Sequence, residues 1–85
     1  MNFSDETVRA KRVWFDADNL WVELMDGRQV GVPLAYFARL SNATPEQRER
    51  YVISGGGAGL HWEDIDEDIS VPKLLSGALQ RKVPA

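Results

Sequence analysis

Between Lys11 and Val32 the chain alternates apolar and polar residues in three runs separated by two turn-forming clusters, and few pairings of those runs make chemical sense. The first run sends Lys11, Val13 and Phe15 to one side and Arg12, Trp14 and Asp16 to the other, the period of a strand. Asp16-Ala17-Asp18-Asn19 has the composition of a turn. The second run sets Leu20, Val22 and Leu24 against Trp21, Glu23 and Met25. A four-residue loop then places Phe15 opposite Leu20, Trp14 opposite Trp21, Val13 opposite Val22 and Arg12 opposite Glu23. Each pair is compatible: apolar with apolar, indole with indole, cation with anion.

The second cluster is Met25-Asp26-Gly27. A three-residue loop with a left-handed Gly27 suits Asp-Gly. It sets Val30 opposite Val22, Val32 opposite Leu20, and Gly31 opposite Trp21, where there is room for the ring. A two-residue loop would move Val30 and Val32 to the tryptophan face, so the three-residue form is preferred. The expected product is an antiparallel three-stranded meander with one aliphatic face.

Pro33 suits the first position of a helix, where its missing N–H costs nothing. Leu34, Phe37 and then Ala38 or Leu40 recur at helical spacing, so this helix should cover the aliphatic face until Ser41-Asn42-Ala43 breaks it. Thr44-Pro45-Glu46-Gln47 signals a second helix start, with Thr44 as N-cap and Gln47 closing a capping box. Glu46 and Arg50 are spaced for a favourable helical pair. Tyr51-Val52-Ile53 reads as a fourth strand, Ser54 to Gly59 as a flexible turn, and Leu60-His61-Trp62 as a fifth strand. Ser70 is placed to cap a last helix through Val71 and Leu75, ending near Gly77. Residues 1–8 and 80–85 read as loose ends of one α+β domain spanning 1–85: the meander, short helices, a second short hairpin and a C-terminal helix.

A chain of 85 residues has a thin core, and with no cysteine it has no disulfide or thiolate staple. Apolar packing, helped by any homo-oligomerisation, must hold it. Met1 to Ala10 lacks an apolar signal region, and the longest apolar run, near Val30 to Ala38, is too short to span a membrane, so a cytoplasmic protein is expected. A net charge of −3 argues against a dedicated nucleic-acid binder, although Arg9, Lys11 and Arg12 form a local basic cluster.

Leu60 to Asp68 gathers the single histidine, a tryptophan and five carboxylates. As a calcium loop beginning at Asp64 it would need Gly and Glu where Ile69 and Leu75 stand. His61 with neighbouring carboxylates forms a candidate divalent-metal or metal-dependent catalytic site, but one histidine is a sparse ligand set. Acidic charge ahead of a helix N-terminus accounts for the run more simply, with Ile65 and Ile69 turned inward. The glycines from Gly55 to Gly59 match neither a P-loop nor a dinucleotide fingerprint. No Ser/His/Asp spacing or thiol nucleophile is present, and neither a catalytic residue nor a cofactor is assigned. Trp14 and Trp21, side by side on the face away from the aliphatics and flanked by Arg12 and Arg28, form a candidate interaction patch; Trp62 reads as core.

The order Val13-x-Phe15, Leu20-x-Val22-x-Leu24-x-Asp26-Gly27-Arg28, Val32-Pro33-Leu34-x-x-Phe37-x-x-Leu40, Ala43-Thr44-x-x-Gln47-Arg48 and Gly59-Leu60-His61-Trp62-x-x-Ile65-Asp66-Glu67-Asp68-Ile69-Ser70-Val71-x-x-Leu74-Leu75 resembles the bacterial domain-of-unknown-function 2442 family. The resemblance implies a small α+β domain with no established catalytic residues. Members of that family are often encoded beside another small uncharacterised family, in an arrangement like a toxin–antitoxin pair. It therefore implies an antitoxin-like protein whose partner is a small protein from an adjacent gene. The partner-binding candidates are Arg12, Trp14 and Trp21 on the sheet, and His61, Asp64, Asp66 and Asp68 on the acidic edge, which would suit a basic partner.

Overall fold

The computed structural model describes residues 8–75. The expected meander forms as β1 (Ala10–Phe15), β2 (Asn19–Leu24) and β3 (Gln29–Pro33), antiparallel in that order. Its register is the one that side-chain pairing dictates: Arg12 meets Glu23, Val13 meets Val22, Trp14 meets Trp21 and Phe15 meets Leu20. On the other side Leu20 meets Val32, Trp21 meets Gly31 and Val22 meets Val30. The Met25–Gly27 loop closes with the Leu24 amide donating to the Arg28 carbonyl, and Gly27 adopts φ 94°. Val13, Leu20, Val22, Leu24 and Val32 are buried on one face. Val8, which the sequence assigns to the lead-in, is also buried; the remainder of that lead-in and residues 76–85, including the expected helix end near Gly77, lie outside the described residues.

The segment after Pro33 departs from the expectation of one helix. Pro33 closes β3 in an extended conformation, and Leu34–Tyr36 forms a single 3₁₀ turn. Phe37 is extended, with φ −126° and ψ 93°, and α1 (Ala38–Ser41) begins after it. The helical spacing nevertheless reports burial correctly, because Leu34, Phe37 and Leu40 all enter the core. The extended Phe37 thus separates two short turns, each of which delivers its apolar residues to the core.

In α2 (Pro45–Arg48) the capping box is complete. The Gln47 amide donates to Thr44 Oγ1 at 3.1 Å, and the Thr44 amide donates to Gln47 Oε1 at 2.9 Å. The helix stops before Arg50, so Glu46 and Arg50 do not make the expected helical pair; Arg50 bonds instead to Asp64. Arg48 ties the two short helices together, donating from Nε to the Leu40 carbonyl (2.8 Å) and from Nη2 to the Ser41 carbonyl (3.1 Å) at the end of α1.

The second half holds one strand more than the expected hairpin. β4 (Val52–Ser54), β5 (Gly59–Trp62) and β6 (Glu67–Ser70) form a second antiparallel sheet in that order, and α3 (Val71–Leu75) follows directly. The acidic run is therefore not simply a helix entrance. Glu63 to Asp66 is a turn, and the residues after it pair with β5, Leu60 facing Ile69 and His61 facing Asp68. Ile69 is buried and Ile65 packs at the core margin, as their apolar character requires. The inner faces of both sheets contribute to one core, where Phe15 meets the fully buried Trp62 edge-on with centroids 6.5 Å apart. The Trp62 indole N–H donates to the Arg48 carbonyl at 3.0 Å, so its burial leaves no orphaned donor.

The glycine segment is tight, not loose. Gly55–Gly57 forms a 3₁₀ turn in which all three residues have positive φ. Gly57 (φ 105°) lies against β1, and a Cβ there would stand 2.9 Å from the Ala10 carbonyl oxygen and 2.8 Å from Arg9 Cβ. Only glycine meets both the dihedral and the clearance. Arg9 Nη1 also donates to the Gly56 carbonyl, so this turn joins the second sheet to the first.

Candidate interaction face

The outer face of the meander brings Arg12, Trp14 and Trp21 together. Strand alternation turns these residues away from the core, and the register aligns the two tryptophans as cross-strand partners. Their rings are nearly parallel, 8° apart, with centroids separated by 6.2 Å. That offset arrangement is favourable for two aromatic quadrupoles. Arg12 places its guanidinium 4.5 Å from the Trp14 ring centre and donates from Nε to Glu23 at 2.6 Å. The Arg12 side chain stays 60% exposed although both partners hold it.

Trp21 is fixed from two sides. Its indole N–H donates to Asp16 Oδ2 at 2.8 Å, and its ring lies over Gly31, where an added Cβ would come within 2.7 Å of the ring carbons. The other carboxylate oxygen of Asp16 accepts the Asp18 and Asn19 amides and so closes the β1–β2 turn. The Trp21 bond, then the Asp18 amide, hold the Asp16 carboxyl below the usual carboxylate range, against a smaller desolvation effect. The Arg12 bond likewise lowers Glu23. Arg28, the expected rim residue, bonds Asp26 across the second turn and lowers that carboxyl in turn. Asp16 is the member that sequence reasoning missed; an Asp opening a turn five residues before a tryptophan on the partner strand was the available signal.

The second group of expected residues is dispersed. His61 Nδ1 lies 2.6 Å from Asp68 Oδ1, a cross-strand contact on the outer face of the second sheet. Asp64 is ion-paired with Arg50, and Glu67 lies 4.0 Å from Arg39. Asp66 is exposed at the turn, where its carbonyl accepts from Arg39. Among the described residues, no three histidine, aspartate or glutamate side chains converge as metal ligands would. The acidic edge is thus partly neutralised by arginines, which weakens the expectation that it attracts a basic partner as one undivided charge. No helix among the described residues is long and apolar enough to cross a membrane.

Two small antiparallel sheets about a shared core, with short helices between and after them, define a small α+β domain. Residues 10–80 match the family described as protein of unknown function (DUF2442), and the chain belongs to that family. It is similar to a protein of unknown function from Rhodospirillum rubrum ATCC 11170, whose crystal structure superposes with a TM-score of 0.71 at 34% identity, covering 81% of this chain and 86% of that one. It is also similar to the uncharacterized protein CV0863 from Chromobacterium violaceum, known from a solution NMR structure, with a TM-score of 0.70 at 26% identity over 91% of this chain and 70% of that one. No curated protein matches the chain.

Proposed function

We propose that this protein is a non-catalytic, cytoplasmic interaction module, the antitoxin-like half of a two-gene pair, which docks a small partner protein on the outer face of its first sheet. The observation that carries this reading is the half-buried, stacked Trp14–Trp21 pair on the face turned away from the core. Indoles left partly exposed while their sheet buries its other face are poor surface residues and good anchors. Their order is already arranged before binding. Asp16, Gly31 and Arg12 constrain the rings, so little side-chain entropy remains to be lost on docking. Arg12 supplies a polar rim with an exposed guanidinium.

The test is co-expression with the product of the adjacent gene, followed by sizing with light scattering and by calorimetric titration. A stable hetero-complex is expected. The double change Trp14→Ala, Trp21→Ala should weaken it by at least about 30-fold, the loss of a hot spot worth roughly 2 kcal/mol or more. A folded double variant with undiminished affinity, or the absence of any complex, would remove this reading.

A further inference from the structure

Among the described residues the second sheet ends in a strand that pairs with a neighbour on one side only, with Tyr36 and Phe37 across a cleft from it and Arg39 at its start. β6 lies at the margin of the order β4-β5-β6. The Val71 amide donates to the Ala58 carbonyl, which makes Ala58 and Val71 a hydrogen-bonded pair at the end of the ladder. Antiparallel ladders alternate bonded and non-bonded pairs. In this register the bonded pairs are therefore Leu60 with Ile69 and Trp62 with Glu67, while His61 with Asp68 and Gly59 with Ser70 are the non-bonded ones. The amides of Asp68 and Ser70 and the carbonyl of Asp68 consequently point away from β5. The Ser70 carbonyl is taken by the first turn of α3.

A cleft of about 300 Å³ runs beside this edge, lined by all four residues of β6 together with Tyr36, Phe37 and Lys73. Tyr36 contributes to this lining, and its hydroxyl is buried without a hydrogen-bond partner among the described residues. A second hollow, of about 480 Å³, is lined by Ser54 and Gly59 as well as by Ser70, and so lies over the strands inboard of the edge. An added strand alternates its side chains between the two faces of a sheet, so every second residue would face the cleft beside Tyr36 and Phe37.

Charge selects the occupant. Two copies of β6 paired edge to edge would set Glu67 and Asp68 of each chain against their counterparts, and opposed like charges destabilise a strand pair even with Arg39 4.0 Å from Glu67. The Asp68 carboxylate, 75% exposed although His61 Nδ1 lies 2.6 Å from one of its oxygens, instead favours a cation beside its free side on the outer face, whereas Phe37 and Ile69 favour an apolar side chain in the cleft. We propose that the β6 edge accepts an extended segment of the partner protein by β-strand addition, a segment that alternates basic residues facing Asp68 with aliphatic residues facing Tyr36 and Phe37. The proposal rests on the interaction-module reading but uses a surface separate from the Trp14–Trp21 face.

The probe is a synthetic acetylated heptapeptide of alternating valine and lysine, titrated into the isotope-labelled protein and followed by NMR. The Asp68 and Ser70 amide signals should move, and their hydrogen exchange should slow by about tenfold or more as they gain partners. The same peptide N-methylated on alternate amides, or with glutamate in place of lysine, should not bind. Asp68→Lys, an exposed change that spares the core, should weaken binding of the valine–lysine peptide about tenfold. The Trp14→Ala, Trp21→Ala variant should bind the peptide as the parent does, which separates failure of this proposal from failure of the tryptophan-face reading. No response at Asp68 and Ser70 with millimolar peptide, or equal binding of the N-methylated peptide, would overturn strand addition.

Discussion

Asp66 has φ 55°, the one non-glycine residue with positive φ among those described. The four-residue turn from Glu63 to Asp66 demands that conformation so that Trp62 and Glu67 can face each other. Asp tolerates it better than most residues, and a β-branched side chain tolerates it poorly. Asp66→Val should destabilise the fold by roughly 1–2 kcal/mol in urea denaturation, whereas Asp66→Gly should be neutral or slightly stabilising. Asp16 carries a different consequence. Its carboxyl is held below its ordinary value by bonds that the unfolded chain lacks, as are those of Glu23 and Asp26. The unfolded chain therefore binds protons first as pH falls. Stability from these groups is complete above the ordinary carboxylate range, about pH 4, and is lost as pH drops through the lowered folded values. Asp16→Asn should be less stable than the parent at pH 7, and the gap should close in acid; thermal melts between pH 7 and pH 2 would measure it.

The elements differ in how plainly the sequence announces them. The register of β1, β2 and β3 is legible from Arg12 to Val32 because three alternating runs, two turns and four complementary pairs all demand it; the irregularity at Lys11, which leaves that residue exposed beside a buried Ala10, and the place of Pro33 in β3 are not. The capping box was equally local, needing only Thr44 and Gln47, and Thr44→Ala should cost about 1 kcal/mol by denaturant melt. β6 was hidden because Glu67 and Asp68 are weak strand formers and precede a strong helix start. Its strand character comes from a neighbour, β5, and shows only when Leu60 is matched with Ile69. The break at Phe37 was invisible for a related reason: 3₁₀ and α turns bury the same i, i+3 positions. The Gly55–Gly57 turn was misread because glycine signals both slack and close approach. Gly57→Ala tests the second meaning. It should cost about 2–4 kcal/mol, combining left-handed strain with contact against the Ala10 backbone, where a merely flexible loop would show almost no change. Of the candidate site, Trp14, Trp21 and Arg12 were legible because strand period alone groups them. The dispersal of His61, Asp64, Asp66 and Asp68 was not, since it depends on arginines from positions 39 and 50 reaching across the fold.

Across the whole molecule the two sheets are too small to persist apart. Phe15 against Trp62, Arg9 on Gly56, and Gly57 on Ala10 make them one cooperative body. Trp62→Ala should remove roughly 3–5 kcal/mol, a large share of what a domain this size possesses, and leave the Arg48 carbonyl unpaired. Loss of the Trp14–Trp21 pair should leave the backbone amide NMR signals of the second sheet nearly unchanged, because those rings lie outside the core. The same division of the three indoles has an optical consequence. Trp62, sealed from solvent, should emit to the blue and resist acrylamide, while the half-buried Trp14 and Trp21 should emit further to the red and quench more readily than it does. The protein thus carries two native fluorophore populations: one reports the integrity of its interior, and the other dims or shifts when something covers its face.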